Sequence, residues 1–279
     1  MSLIIGIDVG GSTTKIVGLE DGQHIKSPMN IKANDPITSL FGAFGKYIYD
    51  NGIALADIEQ VLITGVGASS VTTPIYGLPT SHVDEFQADG LGARFDSGLE
   101  QLIVVSMGTG TTLVRVDGNT ISHIGGISMG GGTLQGLSRL LLKTSHIDEV
   151  VELASHGDLS HINLQIKDIS KGDIEGLPMH ATASLFGKTV ESNVTDQDIA
   201  KGLICMVLET IGSCAVLSQV NQGFKDFVLI GNLTQLPECD IIFPMMESLY
   251  DVRFHIPKHA RYCTALGAAL SYHQHSTNG

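Results

Sequence analysis

Asp8 ends an apolar run at residues 3–8 and is followed at once by Gly10-Gly11-Ser12-Thr13-Thr14-Lys15. Such a turn offers the backbone N–H groups and hydroxyls of Gly11 to Thr14 to an anion, because glycine lets phosphate oxygens approach the main chain. Lys15 adds positive charge, and the Asp8 carboxylate suits a Mg2+ ion carried by a polyphosphate. The plainer alternative leaves Asp8 as a turn cap and Lys15 in solvent. Ninety-eight residues further on the pattern returns: an apolar run at 102–106, the turn Gly108-Thr109-Gly110, and a second run at 112–116. Gly10 matches Gly108, Ser12 matches Gly110, Thr13 matches Thr111 and Thr14 matches Thr112, while Ser106 stands where the first copy has Asp8. The pattern predicts two phosphate clamps sharing a single metal ion.

A third glycine cluster follows His123. Gly125 and Gly126 open it, and Gly130-Gly131-Gly132-Thr133-Leu134-Gln135 leads into helical spacing at Leu134, Leu137 and Leu141. A glycine loop opening a helix presents unpaired amides and the positive end of a dipole to an anion, with a flexible hinge as the alternative. The spacing matches neither a Walker A loop nor a dinucleotide fingerprint. Glu85, in Val83-Asp84-Glu85-Phe86, falls at the predicted start of a helix. Flanking apolar residues would desolvate its carboxyl and raise its pKa, as a general base requires, although Glu also simply favours a helix N-terminus. Eleven histidines include no HxxxH or HExxH pair, so transition-metal chemistry is not indicated, and no Gly-x-Ser-x-Gly elbow occurs.

These residues need a scaffold of alternating strands and helices. Helical spacing at Leu40, Phe44 and Ile48 covers 36–51, a strand is predicted at 61–64, Pro79-Thr80-Ser81 reads as a turn, and a helix runs from Asp84 toward Arg94. Further helices are predicted at 133–142, 147–154, 199–220 and 264–272, with a strand at 227–230 that meets Gly231-Asn232. This interleaving predicts an α/β fold. The repeat sets a boundary near residue 100, giving units 1–100 and 101–263, with a helix over about 264–275 that packs near the first or closes the second. The 279 residues, 43% of them hydrophobic, exclude disorder and small disulfide scaffolds. Sixteen basic against twenty-nine acidic residues give a net charge of −13 and a pI near 5.1, which argues against nucleic acid or anionic lipid as a general partner. Any anion must be held locally. Cys205, Cys214, Cys239 and Cys263 lack ligand spacing and read as reduced core thiols of a cytosolic protein. Neither a secretion signal nor an apolar run of about 18 residues is expected, so no membrane segment is predicted.

Taken in order, Asp8-Val9-Gly10-Gly11-Ser12-Thr13-Thr14-Lys15, Met107-Gly108-Thr109-Gly110-Thr111 and Ile230-Gly231-Asn232 resemble the phosphate, second phosphate and adenosine segments of the sugar-kinase and actin-like ATPase superfamily. More narrowly, Val83-Asp84-Glu85-Phe86, the Gly125 to Leu137 stretch, Ser155-His156-Gly157-Asp158 and Ala183-Ser184-Leu185-Phe186-Gly187 resemble type II pantothenate kinases, over nearly the whole chain. The resemblance implies two duplicated ribonuclease-H-like domains with mixed sheets flanked by helices, and ATP with Mg2+ in the interdomain cleft. It implies phosphorylation of pantothenate, the first step of coenzyme A synthesis, by a cytoplasmic homodimer open to inhibition by coenzyme A or its thioesters. Carried over by position, Glu85 is the base, Asp8 acts at magnesium directly or through water, and Lys15 contacts phosphate. Thr109 and the Gly131, Gly132, Thr133, Leu134, Gln135 loop touch ATP, and Gly231-Asn232 approach the nucleoside. His123 departs from the family, which commonly has an arginine before this glycine run. An arginine clamps a carboxylate bidentately at any pH, whereas a histidine is shorter and only partly charged. With His123, Gly125 and Gly126 expected at the acceptor, pantetheine, another pantoyl amide or an N-acetylhexosamine are alternatives on the same fold. From another class, a nucleotide-dependent switch or activator ATPase would need a partner-binding element. The chain has no large insertion or cysteine cluster for one.

Overall fold

Residues 3–9 are buried without exception, which a strand tolerates only when both faces of its sheet are covered. In the computed structural model, which describes residues 3–32, 35–172, 174–188, 193–220 and 222–276, this run is β1 (Leu3–Val9). It pairs with the antiparallel β2 (Thr13–Glu20), which pairs with β3 (His24–Lys32), and on its other edge with the parallel β4 (Ile58–Thr64) and then β5 (Thr80–His82). The sheet order is β3-β2-β1-β4-β5. The second sheet begins with the meander β6 (Gln101–Met107), β7 (Thr111–Asp117), β8 (Thr120–Ile127). After a small ribbon of β9 (Leu164–Gln165) and β10 (Thr182–Ser184), β11 (Asp226–Ile230) and β12 (Arg253–His255) add in parallel to β6. Its order, β12-β11-β6-β7-β8, is that of the first sheet read from the opposite edge. The duplicated hairpins thus belong to two sheets of one topology.

The period of two along β1 divides its residues between two cores. Leu3, Ile5, Ile7 and Val9 pack with Leu40, Phe44 and Tyr47 of α1 (Pro36–Asn51), a helix capped by Asp35, whose carboxylate accepts from the Thr38 N–H at 2.7 Å. Ile4 turns the other way, onto Ala265, Leu266 and Ala269, and Asp8 shares that face. The second sheet repeats the division. Ile103, Val105 and Met107 face the core that holds α3 (Gly131–Leu141), α4 (Ile147–Ser155), α7 (Asp196–Leu217) and α8 (Cys239–Tyr250), which follow α2 (Glu85–Ser97) in the chain together with the single turns α5 (Leu159–Ile162) and α6 (Ile166–Ile169). Leu102 and Val104 face α2, and Ser106 lies on their side.

Between the two sheets lie α2 and α9 (Cys263–Ser276), and they have changed places. Helix α9 follows the second sheet in sequence yet covers the first, whereas α2 follows the first and packs Ala93 and Phe86 against the second. Their crossing is so close that a Cβ on Gly267 would stand 1.7 Å from the Ala88 carbonyl oxygen, and one on Gly92 1.9 Å from that of Cys263. The sequence allowed the C-terminal helix either of two berths, and in the structure it lies on the first sheet.

Several elements differ from expectation. Thr80 and Ser81 are in β5 rather than a turn, and Gly125 and Gly126 are in β8 rather than a loop. Helix α7 starts at Asp196, three residues before the predicted 199, because the Thr195 hydroxyl accepts from Asp198 N–H while the Asp198 carboxylate accepts from Thr195 N–H. This helix also reaches a mean hydropathy of 1.7 over 18 residues, enough by length and composition to cross a membrane, where no such run was expected. Ala200, Leu203, Ile204, Val207, Leu208 and Ile211 put it in the second core, as a central helix of a soluble fold would be. Cys205, Cys239 and Cys263 are buried free thiols, and Cys214 is half-buried and free.

Candidate active site

The carboxyl ends of β1 and β6 open onto a cavity of about 670 Å³ between the lobes. Its wall includes Asp8, Gly10, Gly11, Ser12, Thr13 and Lys15 from the first hairpin, and Ser106, Gly108, Thr109, Gly110 and Thr111 from the second. Glu85, Gly126, Gly231 and Asn232 complete the sequence-predicted part. These residues, from five separate stretches of chain, thus converge on one space.

Register explains the charged floor. Asp8 is opposite Lys15 on β2 and opposite Thr64 on β4, so the three side chains form a row across the sheet on the face toward α9. Lys15 Nζ donates to Asp8 Oδ2 at 3.0 Å, and both residues are less than a tenth exposed. Thr64 Oγ1 is buried beside them without a hydrogen-bond partner. Glu85 is the first residue of α2, held there by Asp84, whose carboxylate accepts from the Gln87 N–H at 3.0 Å. Burial pushes the Glu85 carboxyl above the usual carboxylate range, the Asp8 charge adds to this, and Lys15 opposes it. A half-buried carboxyl that holds its proton more tightly than in water, beside a cation and two amide-rich turns, can accept a proton next to a bound phosphate.

The third glycine cluster stands differently from its reading. The Gly131 and Gly132 N–H groups donate to the carbonyls of Gly108 and Thr109 at 2.9 Å each, so these two amides are not free for an anion. Gly131, Gly132, Thr133 and Gln135 are outside the cavity wall, and Leu134 is fully buried in the second core. The Gly131 and Gly132 amides brace the second turn, and Thr111 adds to the brace by donating to the Met129 carbonyl at 2.8 Å. Thr14 is likewise fully buried, on the α1 side of β2 with Ile16, where its side chain cannot reach the cavity. His123 and Gly125 are also outside the wall. His123 is exposed on β8 and stacks on Phe86, the neighbour of Glu85, with ring centroids 4.1 Å apart and planes 9° apart.

Contacts beyond the first hairpin complete the wall and its support. Asn232 Nδ2 donates to Thr13 Oγ1 at 3.3 Å, and its Oδ1 accepts from Arg261 Nε at 3.2 Å, tying the first turn to the second lobe. Gly231 reaches this position with φ +96°, where a Cβ would meet the Met107 carbonyl at 2.5 Å. Thr264, at the start of α9, lines the cavity and donates to Asp89 Oδ1 at 2.6 Å. Arg261 and Thr264 come from the far end of the chain, so no local pattern could connect them to the site. Asp89 had a signal: it is a charged residue among the small and apolar residues of α2, one turn after Glu85.

The family model described as Fumble matches residues 97–271. A type II pantothenate kinase of Bacillus cereus is 27% identical over 242 residues, 83% of each chain. Among solved structures, an activator of the 2-hydroxyisocaproyl-CoA dehydratase from Clostridium difficile with bound ADPNP superposes with a TM-score of 0.68 at 18% identity, covering 99% of this chain and 96% of that one. A ROK family glucokinase from Streptomyces griseus in complex with glucose and AMPPNP gives 0.58 at 14% identity, covering 96% and 98%. The structural likeness shows the fold alone, a two-lobed α/β architecture shared with these proteins.

Proposed function

The chain belongs to the Fumble family, and from that premise we propose that it is an ATP-dependent small-molecule kinase whose acceptor is pantothenate. The observation that carries the reading is the meeting of Glu85, the Asp8–Lys15 pair and both glycine turns around one cavity. Units 1–100 and 101–263 supply one turn each. The turns and Lys15 bind the phosphates, and Gly231 and Asn232 stand toward the nucleoside. Glu85 takes the proton of the acceptor's primary hydroxyl as that oxygen bonds to the γ-phosphorus and the bond to the ADP oxygen breaks. Most of the acceleration then comes from positioning and charge neutralisation.

The residues at Asp8 suit magnesium. Beside the Lys15 ammonium, the donors there are hard oxygens, the carboxylate and the unpartnered Thr64 hydroxyl, and among the described residues no three His, Cys, Asp or Glu converge to hold a metal by themselves. That donor set fits an ion held mainly by phosphates and steadied by one carboxylate. When bound, magnesium supplies charge neutralisation on the transferring phosphoryl group.

The test is ADP release with Mg-ATP and, in parallel, pantothenate, pantetheine, N-acetylglucosamine or no acceptor. Stimulation by pantothenate is expected. Preference for pantetheine or the sugar would keep the kinase and move the acceptor, while equal slow hydrolysis in every reaction would overturn the reading in favour of a nucleotide-driven switch.

A further inference from the structure

Helix α2 carries a second carboxyl that the phosphoryl transfer above does not use. Asp89 lies one helical turn beyond Glu85, on the same side of the helix, and is 1% exposed. Its Oδ1 accepts from Thr264 Oγ1 at 2.6 Å, and its Oδ2 has no hydrogen-bond partner. The Ser106 hydroxyl faces the same carboxyl. Thr264 and Ser106 both line the cavity, so Asp89 is immediately behind its wall. Around it α2 is built from Ala88, Gly90, Leu91, Gly92 and Ala93, all buried. A buried charge with an unpartnered oxygen costs free energy that an apolar residue in the same place would not.

We infer that Asp89 is a positioning residue for Glu85: held as the neutral acid behind the cavity wall, it leaves the pair's single negative charge on Glu85, and its ionisation sets the alkaline limit of the reaction. The inference rests on Glu85 being the base. Two carboxyls this close carry one charge more easily than two, and the proton stays on the member with less access to water. Burial raises the Asp89 ionisation to about 7, against the hydrogen bond from Thr264, and the Glu85 and Asp8 charges push it the same way. The other ionisable groups turned toward this layer are Cys263 on α9, Asp96 of α2, which faces Cys263 and is paired with His259, and Lys15 on β2, already paired with Asp8. Once Asp89 ionises, a second negative charge stands behind the wall against which the phosphates must bind.

The experiment is the profile of kcat/KM and of Mg-ATP affinity from pH 5.5 to 9 for the native chain, Asp89→Asn and Thr264→Val. The native profile should fall roughly threefold to tenfold between pH 6.5 and 8.5, the size of one added charge at short range in a partly wet site. Asp89→Asn should keep the acid limb and lose the alkaline one. Thr264→Val removes a donor that favours ionised Asp89, so it should move the alkaline limb to higher pH, a readout available even if the first variant fails to fold. Superimposable profiles, or an equal loss at every pH, would overturn the inference. A second measurement does not depend on turnover. A buried acid whose folded pKa is raised costs stability as pH climbs from its unfolded value near 4 to about 7, so the native Tm should fall relative to that of Asp89→Asn across that interval. A Tm difference that does not change with pH would also overturn the inference, whatever the acceptor assay gives.

Discussion

In the proposed reaction Glu85 is the base, and its isosteric neutral form isolates that role. Glu85→Gln keeps the helix start and the space but cannot take a proton, so kcat should fall by roughly 10²- to 10⁴-fold while Mg-ATP affinity changes little. Near-normal turnover in that variant would remove Glu85 from the mechanism. His123, expected from the family resemblance at the acceptor, lies outside the cavity wall and stacks flat on Phe86, the neighbour of Glu85, and a guanidinium can occupy the same aromatic face. His123→Arg should therefore fold normally and lower the KM for pantothenate about fivefold, the worth of one charge-assisted hydrogen bond of about 1 kcal/mol, with no such gain for pantetheine, which has no carboxylate. Asp8, Lys15 and Glu85 were legible in the sequence because each sits at the end of its own apolar or helical pattern. Thr264 and Arg261 were not, because their proximity to the cavity depends on where the last helix lies. Thr14 shows the opposite failing: it sits inside a motif whose neighbours Thr13 and Lys15 line the cavity, but the strand period turns it inward.

Elements differ in how firmly local signals fix them. Helix α1 was legible to its ends, since Asp35, Pro36 and Gly52 are cap residues and Leu40, Phe44 and Ile48 keep the helical period. Strands β3 and β8 were not, because each is an edge strand with a mixed and half-exposed pattern, and in β8 two glycines read as a loop. The missed cap of α7 gives a simple check: Thr195→Ala removes the hydroxyl that accepts from Asp198 N–H and should cost about 1 kcal/mol in a urea titration. The α2–α9 crossing gives a sharper one. A methyl on Gly267 would have to share space with a backbone oxygen 1.7 Å away, so Gly267→Ala should cost about 3 kcal/mol or more. By contrast Gly136, exposed on α3 with nothing within 4 Å of its would-be Cβ, should gain about 0.5–1 kcal/mol on substitution by alanine. Equal effects at the two glycines would mean that the helices do not cross as closely as described.

For the whole molecule, the exchange of α2 and α9 decides how the lobes depend on each other. The duplication was legible as a repeat of 98 residues, and it suggests two units that could each fold alone. The structure gives each sheet a helix from the other half: Ile4, Val17, Leu19 and Leu62 of the first sheet are covered by Ala265, Leu266, Ala268 and Ala269, while Leu102, Val104 and Val116 of the second are joined by Ala93. No sequence period could reveal this, since both helices are small-residue helices whose partner is chosen by the chain's path rather than by their own pattern. The consequence is cooperative. Neither sheet can keep its inner face dry while the other half is unfolded, so the 279 residues should melt in one calorimetric transition, with calorimetric and van't Hoff enthalpies equal, although chains of this size commonly show more than one. Residues 1–98 expressed alone should lack a cooperative melt, because the Ile4 face is then uncovered, and linking residues 260–276 to that fragment should restore part of it. Two separate transitions in the intact chain, or a cooperative melt of the fragment without α9, would show that the lobes fold independently and that the crossed helices are only a docked contact.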